Sequence, residues 1–478
     1  MKPTPVHSPS VHRSARLLPA LLAAVLAAGC AVVPAADAPP PSIATPQAFK
    51  QGAGEWVPVA AAQVPAHGAW WELFGDPVLN ALAQQVEVSN QNLAVAVAAY
   101  AQARALLAEQ RAALFPQVSA GAGADRAGGG RGTTGRSSYD LSLGLSWEPD
   151  LWGRLGLGVA AARASEQASA ADLAAARLSL QGELAASYFN LRGVDAELQL
   201  LQAIVQGLER TLQIARNRYA AGVVARTDVL QAETQLANAR ADLLSLQRLR
   251  AQLEHAIAVL VGRAPADFTL APQATRSALV PAMPLELPST LLLRRPDIAA
   301  AERRVAVANA QLGLARTAWF PSLRLSASGG IGAAAVGDLF SAGSLVWALG
   351  LSLAQTVFDG GAIAARQDVQ RAALEQAAAR YRQTVLASFQ GVEDQLAAVR
   401  ILAEQQALRE QAAQAAAAAE QQVMNRYQAG QVGFNEVITA QNTAQNARRA
   451  LVQLQADRQV AAVALIQALG GGWRVGAD

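Results

Sequence analysis

The sequence predicts an α+β membrane protein in which four β-strands per chain join those of other copies in a closed barrel, continued by long coiled-coil helices. Three observations lead there. Two proline-free stretches carry heptad stripes, four short segments alternate apolar with small or polar residues, and the chain repeats itself once.

The chain has 478 residues, 52% hydrophobic and 16% charged. Alanine dominates the apolar fraction; it favours helix but buries little area per residue. Collagen-like, disulfide-rich and highly charged disordered readings are excluded by composition. Lys and Arg number 39 against 36 Asp and Glu, but Lys2, Arg13 and Arg16 precede residue 30, where no acid occurs. Removing that segment leaves 36 against 36, so net charge gives no support to a nucleic-acid partner.

The N-terminus reads as a targeting segment: those three cations, then the apolar run Leu17 to Ala28. It ends in Leu26-Ala27-Ala28-Gly29-Cys30, and Cys30 is the only cysteine. This resembles a bacterial lipobox, in which the thiol is diacylated and the peptide is cut before it. The same resemblance implies that Ala31, rather than Asp, sorts the protein to the outer membrane. Several buried acyl chains make a firm anchor at ~0.8 kcal/mol per CH₂.

Proline is absent between Pro149 and Pro265 and does not recur after Pro321, which leaves room for two long uninterrupted helices. In the first, Leu184, Leu191, Val194, Leu198, Leu201, Val205, Leu208, Leu212 and Ala215 step by three, four or seven, a coiled-coil seam. In the second, Val385, Phe389, Val392, Leu396, Val399 and Ala403 repeat the pattern. The halves also match each other. Arg218-Tyr219-Ala220-Ala221-Gly222 reappears as Arg426-Tyr427-Gln428-Ala429-Gly430, Phe115-Pro116 as Phe320-Pro321, and Asp150-Leu151-Trp152-Gly153 as Val357-Phe358-Asp359-Gly360. The spacing is far longer than a solenoid period, so one unit has been duplicated.

Four strands lie between the helical regions. Leu141, Leu143, Leu145 and Trp147 alternate with Ser142, Gly144 and Ser146; Leu323, Leu325 and Ala327 with Arg324, Ser326 and Ser328; Trp347, Leu349, Leu351 and Leu353 with Ala348, Gly350, Ser352 and Ala354. A weaker strand runs from about Gln117 to Ala124, and Gly/Ser-rich loops make two hairpins. Trp147, Trp152, Trp319 and Trp347 sit at or near strand ends, as in membrane barrels. Four strands cannot close alone, and an open edge in lipid is prohibitively costly. Two copies would give a filled eight-stranded barrel; three would give twelve strands and a lumen.

The helices fit one long path. About 65 residues from Arg154 to Arg218 span ~95 Å, and the return combines Arg226 to Val261 with Ser289 to Ala318. The organisation expected is a signal peptide at 1–29, a lipid-anchored Pro-rich segment at 30–76 and a first repeat at 77–264. That repeat holds a helix, a hairpin at 117–147, a long helix at 154–218, a turn and a helix at 226–262. An equatorial connector at 265–288 leads to a second repeat at 289–469, with a helix, a hairpin at 322–354, a long helix at 362–424, a turn and a helix at 434–469. A tail at 470–478 ends the chain.

Leu293-Arg294-Arg295-Pro296-Asp297-Ile298, then Ala301-Glu302, then Trp319-Phe320-Pro321, resemble the signature of the outer membrane factor family of efflux lipoproteins (TolC/OprM/NodT type). So does Arg218-Tyr219-x-x-Gly222 followed by Asp228-Val229-Leu230. The resemblance covers essentially the whole mature chain. It implies a homotrimer whose twelve-stranded β-barrel sits in outer-membrane lipid and continues as an α-helical coiled-coil barrel across the periplasm. It further implies a passive duct for drugs or other small molecules, a periplasmic adaptor (membrane fusion protein), and an RND-type or ABC pump in the inner membrane that supplies the energy. No cofactor and no catalysis belong to this picture.

The two Arg-Tyr-x-x-Gly segments fall where one long helix reverses into the next, and Gly222 and Gly430 suit a left-handed residue at a helix end. A plain turn would account for them. The family resemblance places them at the periplasmic tip, where the adaptor docks and the closed pore is tied. It marks Arg426 and Tyr427 as gate restraints, with Arg218 and Tyr219 as counterparts. Aligning on Gly430 puts Asn435 and Thr439 at the constriction, where the family usually carries an acid; Glu436 should point elsewhere. On this reading Arg426→Ala with Tyr427→Phe raises single-channel conductance.

Other motifs carry less. Gly130-Arg131-Gly132-Thr133-Thr134-Gly135-Arg136-Ser137 imitates a phosphate loop but has Arg136 where Lys is required, and it joins two strands. Gly330-Ile331-Gly332 likewise begins a loop. Only His67 and His255 follow the signal, which argues against a His/Cys metal site, and three Met in total argue against a copper duct. Two alternatives stand beside the efflux reading: a type I protein-secretion duct, and a lipid-anchored periplasmic coiled-coil structural protein, which leaves the strands without purpose.

Overall fold

The structure, a computed structural model, describes residues 44–46, 48–51, 69–128, 135–273, 280–281, 294–341 and 343–473. Cys30 with the signal segment, His67, Gly130 to Thr134, and part of the connector lie outside them.

Among the described residues are seven α-helices and four strands. They run α1 Pro77–Ser89, α2 Gln91–Ala112, β1 Gln117–Ala127, β2 Arg136–Trp147, α3 Arg154–Ala220, α4 Arg226–Leu260, α5 Pro296–Thr317, β3 Ser322–Ala333, β4 Leu345–Ala354, α6 Ala362–Gln428 and α7 Phe434–Ala468. The duplication is exact in length: α3 and α6 have 67 residues each, α4 and α7 35, α2 and α5 22. Both long helices start on an aspartate. Asp150 accepts from Leu155 N and Gly156 N, and Asp359 from Gly361 N and Ile363 N, satisfying amides that a first turn leaves free. Those bonds hold the exposed Asp359 carboxyl below the usual carboxylate range.

One expectation needs correction. The single helix expected between residue 77 and the first hairpin breaks at Asn90, whose backbone is extended. The Asn90 side chain explains the break. Its oxygen accepts from Leu93 N at 2.9 Å, capping α2, and its amide donates to Leu260 O at 2.7 Å.

The chain divides into two compact units. The first holds Ala101–Ala168 and Glu302–Arg380; the second holds Ser42–Tyr100, Ser169–Ala301 and Tyr381–Asp478. The first contains one antiparallel sheet in the order β1-β2-β3-β4. Its register keeps like with like. Val118 faces Leu145, Leu145 faces Ala327, and Ala327 faces Leu349 on one side; Ser119 faces Gly144, Gly144 faces Ser328, and Ser326 faces Gly350 on the other. A one-residue slip would exchange the faces. At the β2–β3 approach a Cβ on Gly330 would lie 2.5 Å from Leu141 O, so only glycine fits there. The apolar face is open: Trp347 is 70% and Leu349 76% exposed.

Aromatic residues fasten the strand ends. Trp147 Nε1 donates to Leu114 O at 3.0 Å, Trp152 Nε1 to Pro321 O at 2.5 Å, and the Trp152 ring stacks on Phe320 at 5.2 Å. Among the described residues no helix is long and apolar enough to cross a membrane.

The second unit is helical. The heptad stripe of α3 is buried as expected, with Leu184, Leu191 and Ala215 fully covered. It packs on Val229, Ala232, Leu236 and Ala239 of α4 at one end and, at the other, on Trp70, Phe74, Leu79 and Ile257. The α6 stripe is buried at Val385, Val392 and Leu396, but Ala403 is exposed in the single chain. Ion pairs also pin the connector. Asp195 takes Arg192 at 3.0 Å and Arg250 at 2.7 Å, while Arg192 and Arg250 donate to Ala271 O and Leu270 O. Removing one partner of such a buried cluster costs ~3–5 kcal/mol.

Candidate gate at the two helical turns

Each long helix ends on the same hydrogen-bonded device. Gly222 N donates to Tyr219 O and Val223 N to Arg218 O, both at 2.9 Å; Gly430 N donates to Tyr427 O and Gln431 N to Arg426 O, again at 2.9 Å. These are Schellman turns. Gly222 at φ 74 and Gly430 at φ 73 hold the left-handed position that a side chain resists.

The side chains part company. Arg218 crosses from the first turn to the second: its Nη1 donates to Tyr427 O at 2.5 Å and to Gln428 O at 3.5 Å. Its guanidinium carbon lies 4.6 Å from the centre of the Tyr427 ring, a cation–π contact. Tyr427 is 1% exposed, and its ring packs 5.5 Å from Phe434 at the start of α7. Burial pushes its phenol up, Arg218 pulls it down and Asp228 pushes it up again. Tyr427 Oη and Arg218 Nε are buried with no hydrogen-bond partner among the described residues.

Tyr219 is about half exposed. Arg426 is exposed and carries no side-chain hydrogen bond among the described residues. The contact across the repeats is Arg218 with Tyr427, one residue from each of the two named segments; Arg426 and Tyr219 take no part in it. The double substitution Arg426→Ala with Tyr427→Phe removes no side-chain hydrogen bond seen here.

Asn435, Glu436 and Thr439 are all exposed at the start of α7. Asn435 and Thr439, one turn apart, share a face, and the Thr439 hydroxyl donates to Asn435 O at 2.9 Å. These two side chains are polar and uncharged, with the exposed Glu436 beside Thr439 on the helix surface. Further from the turns, links that sequence reading missed tie α7 to the first repeat. Arg449 donates to Glu197 at 2.7 Å and to Asp242 at 3.4 Å, and Gln441 to Thr211 at 3.3 Å. Each joins residues more than two hundred positions apart, so no local pattern announces it.

Comparison with known proteins settles the class. The outer membrane efflux protein model matches the chain twice, over residues 82–263 and 287–471, once for each repeat. The chain belongs to the outer membrane efflux protein family. It is similar to the antibiotic efflux pump outer membrane protein ArpC of Pseudomonas putida, 32% identical over 96% of both chains. The pyoverdine export outer membrane protein OpmQ of Pseudomonas aeruginosa is 32% identical over 85% of this chain and 87% of its own. Among solved structures, the outer-membrane channel OprN matches with a TM-score of 0.84 and 31% identity, over 93% of this chain and 100% of its own.

Family members of this kind are outer-membrane channels of efflux systems, and the fold class is theirs: four strands per chain in a twelve-stranded trimeric barrel, continued by a helical barrel. The exposed apolar sheet face is thereby its lipid-facing surface. The coiled-coil structural alternative, which left the strands without purpose, falls away.

Proposed function

We propose that this outer-membrane channel is the passive exit duct for small organic solutes, and that Arg218 is the arm that ties its closed tip. The names of the relatives, an antibiotic efflux component and a pyoverdine export component, support small solutes over secreted proteins. A periplasmic adaptor meets the tip, an inner-membrane pump of RND or ABC type supplies the energy, and the duct carries out no catalytic step. Acylation of Cys30 anchors the chain to the outer membrane.

The observation that supports the gate is the Arg218 bridge to Tyr427 O and to the Tyr427 ring. It fastens the α3–α4 turn to the α6–α7 turn with a charge-assisted hydrogen bond, worth ~1.5–3 kcal/mol. Separating the two turns, as opening a tip built from them requires, breaks this bond. The polar face of Asn435 and Thr439 gives the narrow end little preference for cations.

Trimers reconstituted in a planar bilayer test the gate. Arg218→Ala raises single-channel conductance severalfold, while Arg426→Ala leaves it near the unsubstituted value. Equal conductance for Arg218→Ala and the unsubstituted channel overturns the assignment. A crosslinked pull-down from native membranes tests the partners, and recovery of neither adaptor nor pump counts against the duct.

A further inference from the structure

The internal repeat carries a rule of register. Residues leading into and forming the first strand of each hairpin shift by 205 positions between repeats, as from Phe115 to Phe320; residues from the second strand through the long helix shift by 208, as from Arg154 to Ala362, which moves the counterpart of Trp152 from Asp359, the match read from sequence, to Gly360. Applied to the first hairpin, these shifts carry the pair Gln117↔Ser146 onto Ser322↔Ala354, the register the second hairpin has. They also carry the Trp147 bond to Leu114 O onto the bond that the Gln355 amide donates to Trp319 O at 3.3 Å. The rule thus reproduces both a ladder and a side-chain latch.

One seam of the sheet has no counterpart inside the chain. β2 and β3 join the two hairpins, with Ser146 opposite Ser326. The equivalent seam joins β4 to β1 of a neighbouring protomer, because neither edge can remain open in lipid. Carrying β2 forward by 208 and β3 back by 205 converts Ser146↔Ser326 into Ala354 opposite the partner's Gly121.

We propose that β4, lengthened by residues 355–358, pairs with β1 of the next protomer in this register. Thr356 then lies opposite the partner's Ser119 and Val357 opposite the partner's Val118. Residues 355–358 are not strand in the single chain, and in the trimer they become strand.

Three features fit this register. Leu351 and Leu353 fall opposite the partner's Ala124 and Ala122, large against small on the lipid face, while Ser352 falls opposite the partner's Gly123 on the other. Val357 and Val118, 94% and 66% exposed in the single chain, cover each other. Finally, the β2–β3 line, followed past its last ladder pair, leads to the Trp152–Phe320 stack. Its counterpart sets Gly360, which has no side chain, opposite the partner's Phe115. Phe358, 90% exposed, becomes the diagonal neighbour of that ring, 69% exposed, within the reach of aromatic cross-strand pairs. The interchain seam gains the aromatic clamp that the intrachain seam already has.

Cysteine pairs in the full-length lipoprotein test the register, which rests on the trimeric barrel. Val118→Cys with Val357→Cys and Ser119→Cys with Thr356→Cys are in register, and adjacent pairs sample both kinds of antiparallel site. Val118→Cys with Gln355→Cys is slipped by two residues. After oxidation, non-reducing electrophoresis should show covalent dimers and trimers for at least one in-register pair and monomer for the slipped pair. Single substitutions report any background from Cys30. Crosslinking of the slipped pair alone overturns the register. The unsubstituted trimer gives a second reading by amide hydrogen exchange: residues 355–358 should be protected like β4 itself. Exchange as fast as at 359–361 overturns the proposal even if a cysteine variant fails to assemble. Absence of trimers on native electrophoresis would instead count against the trimeric barrel.

Discussion

Arg218 and Arg426 occupy equivalent places in the last turns of twin 67-residue helices, and their backbones end in the same pair of hydrogen bonds. Arg218 lies across the Tyr427 ring, whereas Arg426 stands in solvent; Tyr427 is buried, whereas Tyr219 is half exposed. Duplication preserved the backbone because glycine at a left-handed position and the heptad seam both depend on local chemistry. It did not preserve the contacts, because each turn meets a different neighbour. One arginine of the pair therefore links the two turns, and the other faces solvent in the single chain.

The sharpest way to break this comparison is to truncate the two tyrosines. Tyr427→Ala empties a buried site between Arg218 and Phe434 and should cost ~3–5 kcal/mol locally, lowering the temperature at which trimers dissociate in detergent. Tyr219→Ala should stay within about 0.5 kcal/mol of the unsubstituted protein. Similar shifts for both would show that the turns are equivalent after all.

Next in size come the arginines. Arg218→Ala should forfeit ~2 kcal/mol of restraint and raise conductance severalfold in a planar bilayer. Arg218→Lys should recover part of it, since an ammonium keeps the charge but not the planar fork. The glycines probe the half of the comparison that is equal. Gly222→Ala and Gly430→Ala each force a side chain into the left-handed region at ~1–2 kcal/mol. Their effects on trimer dissociation should match, and a marked inequality would place the asymmetry in the backbone.

The smallest effect concerns the phenol. Tyr427→Phe removes a buried hydroxyl with no partner among the described residues and should leave conductance and dissociation temperature nearly unchanged. Its raised folded-state pKa also fixes the sign of the pH response. A raised value means that the neutral ring's contribution is fully present below the ordinary tyrosine pKa and is lost only as pH climbs through the higher folded value. Closed-state conductance should therefore be flat from about pH 6 to 9, below the ordinary tyrosine pKa of about 10. A transition inside that range would identify another titrating group at the tip.

Much of the fold was legible because it is written in short periods. The heptad stripe of α3, the alternation of β2, β3 and β4, and the glycines of both turns each need only their neighbours in sequence. The misses share a different cause. The helix break at Asn90 depends on a carbonyl of Leu260, and the buried Trp70, Trp71 and Phe74 cluster depends on α3 and α4. The Asp195 cluster with Arg192 and Arg250 looks in sequence like solvated helix surface. Family resemblance drew attention to the turns, but two arginines with the same local surroundings look alike to it.

By itself, then, the sequence determined the periodic parts of this protein: four amphipathic strands that cannot close alone, two pairs of long helices, the turns between them, and the duplication. These follow from side-chain spacing and glycine conformation, which act within a few residues. The tertiary structure decided which copies of a repeated motif meet. Arg218 reaches Tyr427 through a contact 209 residues long in sequence, and such a pairing is set by how whole helices pack, not by the residues beside it.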